Sequence, residues 1–351
     1  MVNQGRDLLG GKIPVTVITG FLGSGKTTLI SNLVKHPNMN RVAVVINEVG
    51  EIGIDHDLVS VASENMTLLA NGCICCSVRT DMQETLRELF AQRQVGEVFD
   101  FDRVMIETTG LADPAPVLQT LVSDTLLEAR YRLDGVITLV DAVNAQDQLF
   151  AMEESQKQVA LADRLLVTKS DLTTPEMLDQ LKQDLARINP SADIFTVLNG
   201  QANPEDLIGL GLGSSRINAQ TFHFIQGIDL LSKSPEGGKY LAGVLPRAHS
   251  SIKTLSLRFK VPFTWEAFSS ALELLAKLRG PDLLRVKGIL NVQGDPLVVQ
   301  GVQHIFHNPV KLERWPSDDH NTRLVFITRN IDLVMIEQLF NAVSLLTERS
   351  C

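Results

Sequence analysis

One eight-residue segment, Gly20-Phe21-Leu22-Gly23-Ser24-Gly25-Lys26-Thr27, restricts this chain to very few folds. The apolar run IPVTVIT (13 to 19) precedes it, and TTLISNLVK, with apolar residues at helical spacing, follows it. Strand, glycine turn and helix in that order match the pattern G-x-x-x-x-G-K-[ST] in its structural setting. The physics of the pattern is anion binding. Glycines at 20, 23 and 25 let the main chain curl so that its N–H groups face inward, at the positive end of the following helix dipole. In such a loop Lys26 would bridge the β- and γ-phosphates of a nucleotide and Thr27 would set its hydroxyl on Mg²⁺. Ser24 and Thr28 complete the expected nucleotide-binding set.

The βα alternation continues downstream. RVAVVIN (41 to 47), DRVMIET (102 to 108), LDGVITLVD (133 to 141) and RLLVTKSD (164 to 171) read as buried parallel strands, and DIFTVL (193 to 198) as the strand closing the sheet. Amphipathic segments such as VRTDMQETLRELFAQR separate them. The expected fold class is α/β, a doubly wound and mostly parallel sheet of the P-loop GTPase kind, with ligands at the carboxyl ends of the strands. This domain spans 1–208. A Gly- and Ser-rich stretch over 209–250 reads as a linker, and 251–351 as a smaller C-terminal α+β domain: strand KTLSLRFKV, helix WEAFSSALELLAKL, a hairpin from LLRVKGILNV and LVVQGVQHIF, strand TRLVFITRN and a closing helix.

Length and charge narrow the partners. A chain of 351 residues with 44% hydrophobic and 21% charged residues can bury a full α/β core and a second domain. A formal charge of -9 argues against nucleic acid, since phosphate contacts need a basic face. No window reaches the roughly 20 apolar residues of a membrane span, and MVNQGRDLLGGKIP lacks the apolar core of a signal peptide, so a soluble cytoplasmic protein is expected. Whether it forms a homodimer the sequence leaves open.

Glu107 ends the apolar strand DRVMI, where an acidic residue can hold the Mg²⁺ shell through water. Thr108-Thr109-Gly110 follows, with the Gly110 N–H placed to contact a γ-phosphate and sense its loss; Asp113 and Pro114 then start a helix. Thr168-Lys169-Ser170-Asp171 resembles the guanine-reading signature N-K-x-D: Asp171 would accept from the N1–H and exocyclic amine of guanine, while the Lys169 stem packs on the base. Thr168 stands where asparagine is usual, and a hydroxyl cannot make both amide contacts.

Gly72-Cys73-Ile74-Cys75-Cys76 carries three of the four cysteines; the fourth, Cys351, reads as a terminal thiol without a role. Neighbouring thiolates repel unless a cation neutralises them, and a soft or borderline divalent ion is the natural neutraliser. Zn²⁺ takes four ligands, so Cys73, Cys75 and Cys76 leave one position for a side chain, water or partner; Glu51, Asp55, His56 and Asp57 are the nearby candidates. Buried free thiols and a redox role are the competing readings. The acidic, glycine-spaced segment 47 to 57 lies where a nucleotide-ordered loop belongs, and Glu48 or Glu51 could orient the attacking water or touch metal.

GFLGSGKTT, NEVGEIGIDHD, NGCICC, ETTGLADP and TKSD, in this order and spacing, resemble the CobW family of metal-handling GTPases, and RVKGILN, VVQGVQHIF and RLVFITRN resemble that family's C-terminal domain. The resemblance implies GTP hydrolysis coupled to delivery of Zn²⁺ or Co²⁺ to a client metalloprotein, with Cys73, Cys75 and Cys76 as ligands. Many members carry a histidine-rich stretch; here the seven histidines are scattered, and His304 and His307 flank an apolar Ile-Phe pair. No arginine finger is evident near the phosphate loop, so slow intrinsic turnover is expected. Two rivals remain: a GTP-dependent assembly scaffold with a permanent structural zinc, and a phosphate-loop kinase.

Overall fold

The structure is a computed structural model that describes residues 11–39, 41–47, 59–63, 66–69, 74–77, 82–210, 251–303 and 305–348. Glu48, Glu51, Cys73 and Cys351 lie outside the described residues, as do His304, the acidic segment 48–57 and most of the connector (211–250). The chain divides into two compact units. The first comprises Met1–Gln158, Ala162–Leu181 and Ile194–Ser214; the second comprises Val159–Leu161, Lys182–Asp193 and Ser215–Cys351.

Nine strands among the described residues form the first sheet, in the order β3-β4-β5-β2-β6-β1-β7-β8-β9. They are β1 Ile13–Gly20, β2 Val42–Asn47, β3 Val59–Ser63, β4 Met66–Leu69, β5 Ile74–Ser77, β6 Arg103–Thr108, β7 Tyr131–Asp141, β8 Arg164–Thr168 and β9 Asp193–Val197. From β5 to β8 the paired strands run parallel, whereas β3 and β4 extend the edge antiparallel. β1 is buried along its whole length. Its near-continuous Val and Ile content is what a strand covered on both faces requires. Helix α1 (Lys26–Val34) lays Leu29, Ile30 and Leu33 on Ile18, Val44, Met105 and Leu139, each full burial contributing about 1.5–3 kcal/mol.

Register fixes where chemistry can occur. Ile18 of β1 is level with Glu107 of β6, and Gly20 with Leu139 of β7, so the phosphate loop leaves the sheet at the edge where β6, β7 and β8 end. A ligand crevice forms at such an edge.

Two local departures from the sequence reading matter. The strand expected over 164–171 stops at Thr168, because Lys169 takes φ 56, a left-handed turn no strand can continue through. Ile74–Ser77, which carries Cys75 and Cys76, is itself a strand: Cys75 is level with Val44 and Cys76 with Val45 of β2, and β4 pairs on the other side.

In the second unit a six-stranded sheet of order β10-β15-β11-β12-β13, with β14 on β12, is antiparallel in every pairing. Its strands are β10 Ile252–Phe259, β11 Leu283–Val292, β12 Asp295–Val302, β13 Ile305–Phe306, β14 Val310–Lys311 and β15 Thr322–Arg329. The β11–β12 hairpin turns on Gln293 and Gly294, with φ 53 and 100; two successive positive φ values match the twist of the flanking strands. Helices Trp265–Arg279 and Leu333–Glu348 contribute Phe268, Leu275, Ile336 and Phe340 to a core with Leu255, Leu257, Leu324 and Phe326. The hydroxyl of Thr264 caps the first helix by accepting from Ala267 N.

Candidate active site

The phosphate loop holds its shape through glycine. Gly20, Gly23 and Gly25 have φ 139, 75 and 93. A Cβ on Gly20 would stand 2.8 Å from Ser24 Oγ and 2.9 Å from Leu139 N. The loop closes with Ser24 N donating to Phe21 O at 3.2 Å, and α1 starts at Lys26 with no side-chain cap over its first turn. Ser24 Oγ is buried with no hydrogen-bond partner among the described residues. An uncapped helix head, an orphaned hydroxyl and a backbone concavity form a donor set that fits a polyphosphate. Lys26 Nζ donates to Gly20 O at 2.9 Å and Phe21 O at 3.3 Å, which holds the ammonium across the loop.

Thr27 Oγ1 donates to Glu107 Oε1 at 3.1 Å, joining residues 80 positions apart. Glu107 is 1% exposed. Two hard oxygens at this corner of the loop fit Mg²⁺, which Thr27 would ligate directly and Glu107 would hold through water. Beside them Thr108 Oγ1 donates to Thr19 Oγ1 at 2.8 Å, fastening the ends of β6 and β1 together.

Gly110 packs against the phosphate loop itself: a Cβ there would lie 2.7 Å from Leu22 N and 2.8 Å from Leu22 Cα. Behind it helix α6 (Glu153–Leu161) supplies Gln158, whose Nε2 donates to Gly110 O at 3.2 Å and Ala112 O at 3.1 Å. Lys157 pairs with Asp113 at 2.7 Å, and Asp113 Oδ1 accepts from Ala115 N at the head of helix α3 (Ala115–Ser123).

At the end of β8, Thr168 Oγ1 donates to Ser24 O at 2.9 Å, tying the Thr168–Asp171 turn to the phosphate loop. Lys169 Nζ bonds Asp141 Oδ2 at 2.8 Å. Asp141 also accepts from Val143 N and Asn144 Nδ2, both at 2.9 Å. Burial alone would raise the Asp141 carboxyl, but the bonds from Lys169, Asn144 and Val143 outweigh it and hold the group below the ordinary carboxylate range. It therefore stays ionised and anchors the Lys169 ammonium at the end of β7. Asp171 is exposed in the turn Ser170–Leu172, available to a base edge.

Asp141, Asn144 and Gln158 went unread in the sequence. Asp141 had a signal, since it ends an apolar strand at the same sheet edge as Glu107; Gln158 had none, being one glutamine in a helix. Among the described residues no group of three His, Cys, Asp or Glu is arranged to hold a metal ion, and Cys73 and Glu51 lie outside them.

A glycine cradle on a parallel sheet, an acidic strand end beside the loop threonine and a lysine–aspartate turn at the base side define a P-loop GTPase. Residues 14–196 match the CobW/HypB/UreG nucleotide-binding domain and residues 252–344 the cobalamin synthesis protein cobW C-terminal domain, and the chain belongs to the CobW family. It is 35% identical over 318 residues to the zinc chaperone YjiA of Escherichia coli, covering 90% of this chain and 93% of that protein. It is 31% identical over 361 residues to the zinc chaperone CobW of Pseudomonas aeruginosa, covering 93% and 90%. A crystal structure of Zn(II)-bound YjiA GTPase from E. coli superposes with a TM-score of 0.73 at 32% identity, covering 95% of this chain and 99% of that one. No helix among the described residues is long and apolar enough to cross a membrane.

Proposed function

We propose that this chain is a GTP-driven metal carrier: a divalent transition ion, Zn²⁺ or Co²⁺, binds Cys73, Cys75 and Cys76 and passes to a client metalloprotein, with hydrolysis at the Gly20–Thr27 loop gating the transfer. The observation that carries this reading is strand register. Cys76 pairs with Val45 of β2, and Val45 pairs with Ile106 of β6, the residue before Glu107. At about 4.8 Å per strand, the backbone of Cys75 and Cys76 runs about 10 Å from the backbone bearing Glu107. β2 also ends at Asn47, directly before the acidic segment 48–57. The zinc chaperone names of its relatives support the same cargo.

The protein's own groups divide the work. The loop N–H groups and Lys26 bind and orient the phosphates, and Asp171 with Lys169 selects the base. Thr27 and Glu107 would hold Mg²⁺, which when bound would neutralise charge on the phosphate oxygens. Gly110 reports loss of the γ-phosphate. Metal binding releases thiol protons, so cargo affinity rises with pH.

A chelator assay tests the reading. Wild-type protein loaded with Zn²⁺ should surrender it to a mild chelator at rates that differ between GDP and a non-hydrolysable GTP analogue, and Cys75→Ser should bind less zinc. Equally slow release in every nucleotide state would support the permanent structural ion of the scaffold reading instead.

A further inference from the structure

We infer that Gln158 is a positioning residue for GTP hydrolysis: its carboxamide sets the Gly110 turn against the phosphate loop. The inference rests on the reading that Gly110 senses the γ-phosphate. Gln158 is 1% exposed, and both hydrogens of its Nε2 have acceptors, Gly110 O at 3.2 Å and Ala112 O at 3.1 Å. The turn is tied from within as well. Leu111 N donates to Thr109 Oγ1 at 3.3 Å and Ala112 N to Thr109 O at 3.1 Å. The peptide between Gly110 and Leu111 is therefore held at both ends, its carbonyl by Gln158 and its N–H by Thr109.

Gln158 is itself fixed. Thr138 Oγ1 of β7 donates to the Gln158 main-chain carbonyl at 2.7 Å, and the adjacent Lys157 pairs with Asp113 just beyond the turn. Helix α6 thus grips residues 110 to 113 at three points and then runs on, within a few residues, into β8 and the base-reading turn. The fit is close: Gly110 has no room for a Cβ against Leu22, so a small shift of this turn moves the phosphate loop or is blocked by it. A two-donor side chain is what the site needs. Aliphatic replacements take the Gln158 donor from the buried Gly110 carbonyl and the half-buried Ala112 carbonyl, and a carboxylate would repel both.

Gln158→Glu separates positioning from mere packing. It keeps the side-chain shape, and the introduced carboxyl, buried beside carbonyl oxygens, has a raised pKa and regains one donor when protonated. At about pH 8.5 its kcat for GTP should fall about tenfold, while KM and GDP affinity stay within about twofold of wild type. Toward about pH 6 the ratio of variant to wild-type kcat should recover several-fold. Gln158→Met, of similar volume with no donor at any pH, should lose kcat without that recovery. A pH-independent ratio for Gln158→Glu, kcat unchanged in Gln158→Met, or loss of GDP affinity in step with kcat would overturn the inference. Wild-type protein that binds GTP without turning it over would overturn the GTPase reading and this inference with it, whereas active wild type with unaffected variants overturns this inference alone.

Discussion

Adding one methyl group at Gly110 probes how closely its turn packs on the phosphate loop. A Cβ built there meets Leu22 N and Leu22 Cδ2 at 2.7 Å and Leu22 Cα at 2.8 Å. Leu22 Cδ2 can swing away, but the two backbone atoms cannot. Restoring ordinary contact near 3.4 Å from 2.7 Å requires the turn or the loop to retreat by about 0.7 Å. Overpacking of this kind costs about 1–3 kcal/mol of stability. A displacement of that order at a site that aligns phosphates lowers turnover by up to about 100-fold. We therefore expect Gly110→Ala to melt at a lower temperature and to show kcat/KM for GTP reduced about 30–100-fold, measured by single-turnover phosphate release beside a thermal melt. Turnover within twofold of wild type would refute the reasoning, because it would mean that the turn can move by that distance without affecting the phosphates.

Thr27→Ala removes one of the two oxygens proposed to hold Mg²⁺ and should raise the Mg²⁺ concentration required for half-maximal turnover at least tenfold, read from a Mg²⁺ titration of GTP hydrolysis. Asp141→Asn weakens the anchor on Lys169 and should reduce GDP affinity about 5–20-fold in a fluorescent-nucleotide titration, with little change in kcat. The carboxyls of Asp141 and Asp134 should make the first unit acid-sensitive. Burial pushes each up, but Lys169, Asn144 and Val143 for Asp141, and Arg103, Arg132 and the Gly209 N–H for Asp134, hold each below its ordinary value. A group with a depressed folded pKa stabilises fully above its unfolded value, near 3.9, and loses that contribution as pH falls through the folded value. Unfolding free energy should be flat in these two groups from about pH 5 to about pH 8 and should decline below about pH 4, with a smaller decline in Asp134→Asn. Gly288→Ala, whose Cβ would lie 3.0 Å from Leu324 Cα, should destabilise the second unit by about 1–3 kcal/mol without altering GTP turnover in a denaturation series.

What the sequence revealed and what it hid follow from the range of the interactions. β1, β2, β6 and β7 were legible because strands buried on both faces must be apolar throughout, and the glycine loop because φ values near 75 to 139 demand glycine whatever surrounds them. The hairpin of β11 and β12 was legible because two apolar runs, LLRVKGILNV and LVVQGVQHIF, flank a short polar turn. The end of β8 was misjudged by three residues, since Lys169 gives no compositional sign that it adopts φ 56; its bond to Asp141, 28 positions away, accompanies that turn. β3 and β4 are five and four residues long, too short for a period to emerge, and the chemistry of Cys75 and Cys76 masked the fact that they lie on a strand. Gln158 contacts carbonyls 46 and 48 positions upstream, and carbonyls are the one feature every residue shares. Nothing in a side-chain alphabet announces such a partner.

The central claim is that a metal at the thiols and a nucleotide at the glycine loop bias one another. Competitive zinc titration of the protein bound to GDP and to a non-hydrolysable GTP analogue measures this directly. The account predicts dissociation constants that differ about 5–150-fold, with the reciprocal factor recovered when nucleotide is titrated in the presence and absence of zinc. Identical zinc affinities in the two nucleotide states, with binding still dependent on Cys75 and Cys76, would contradict it.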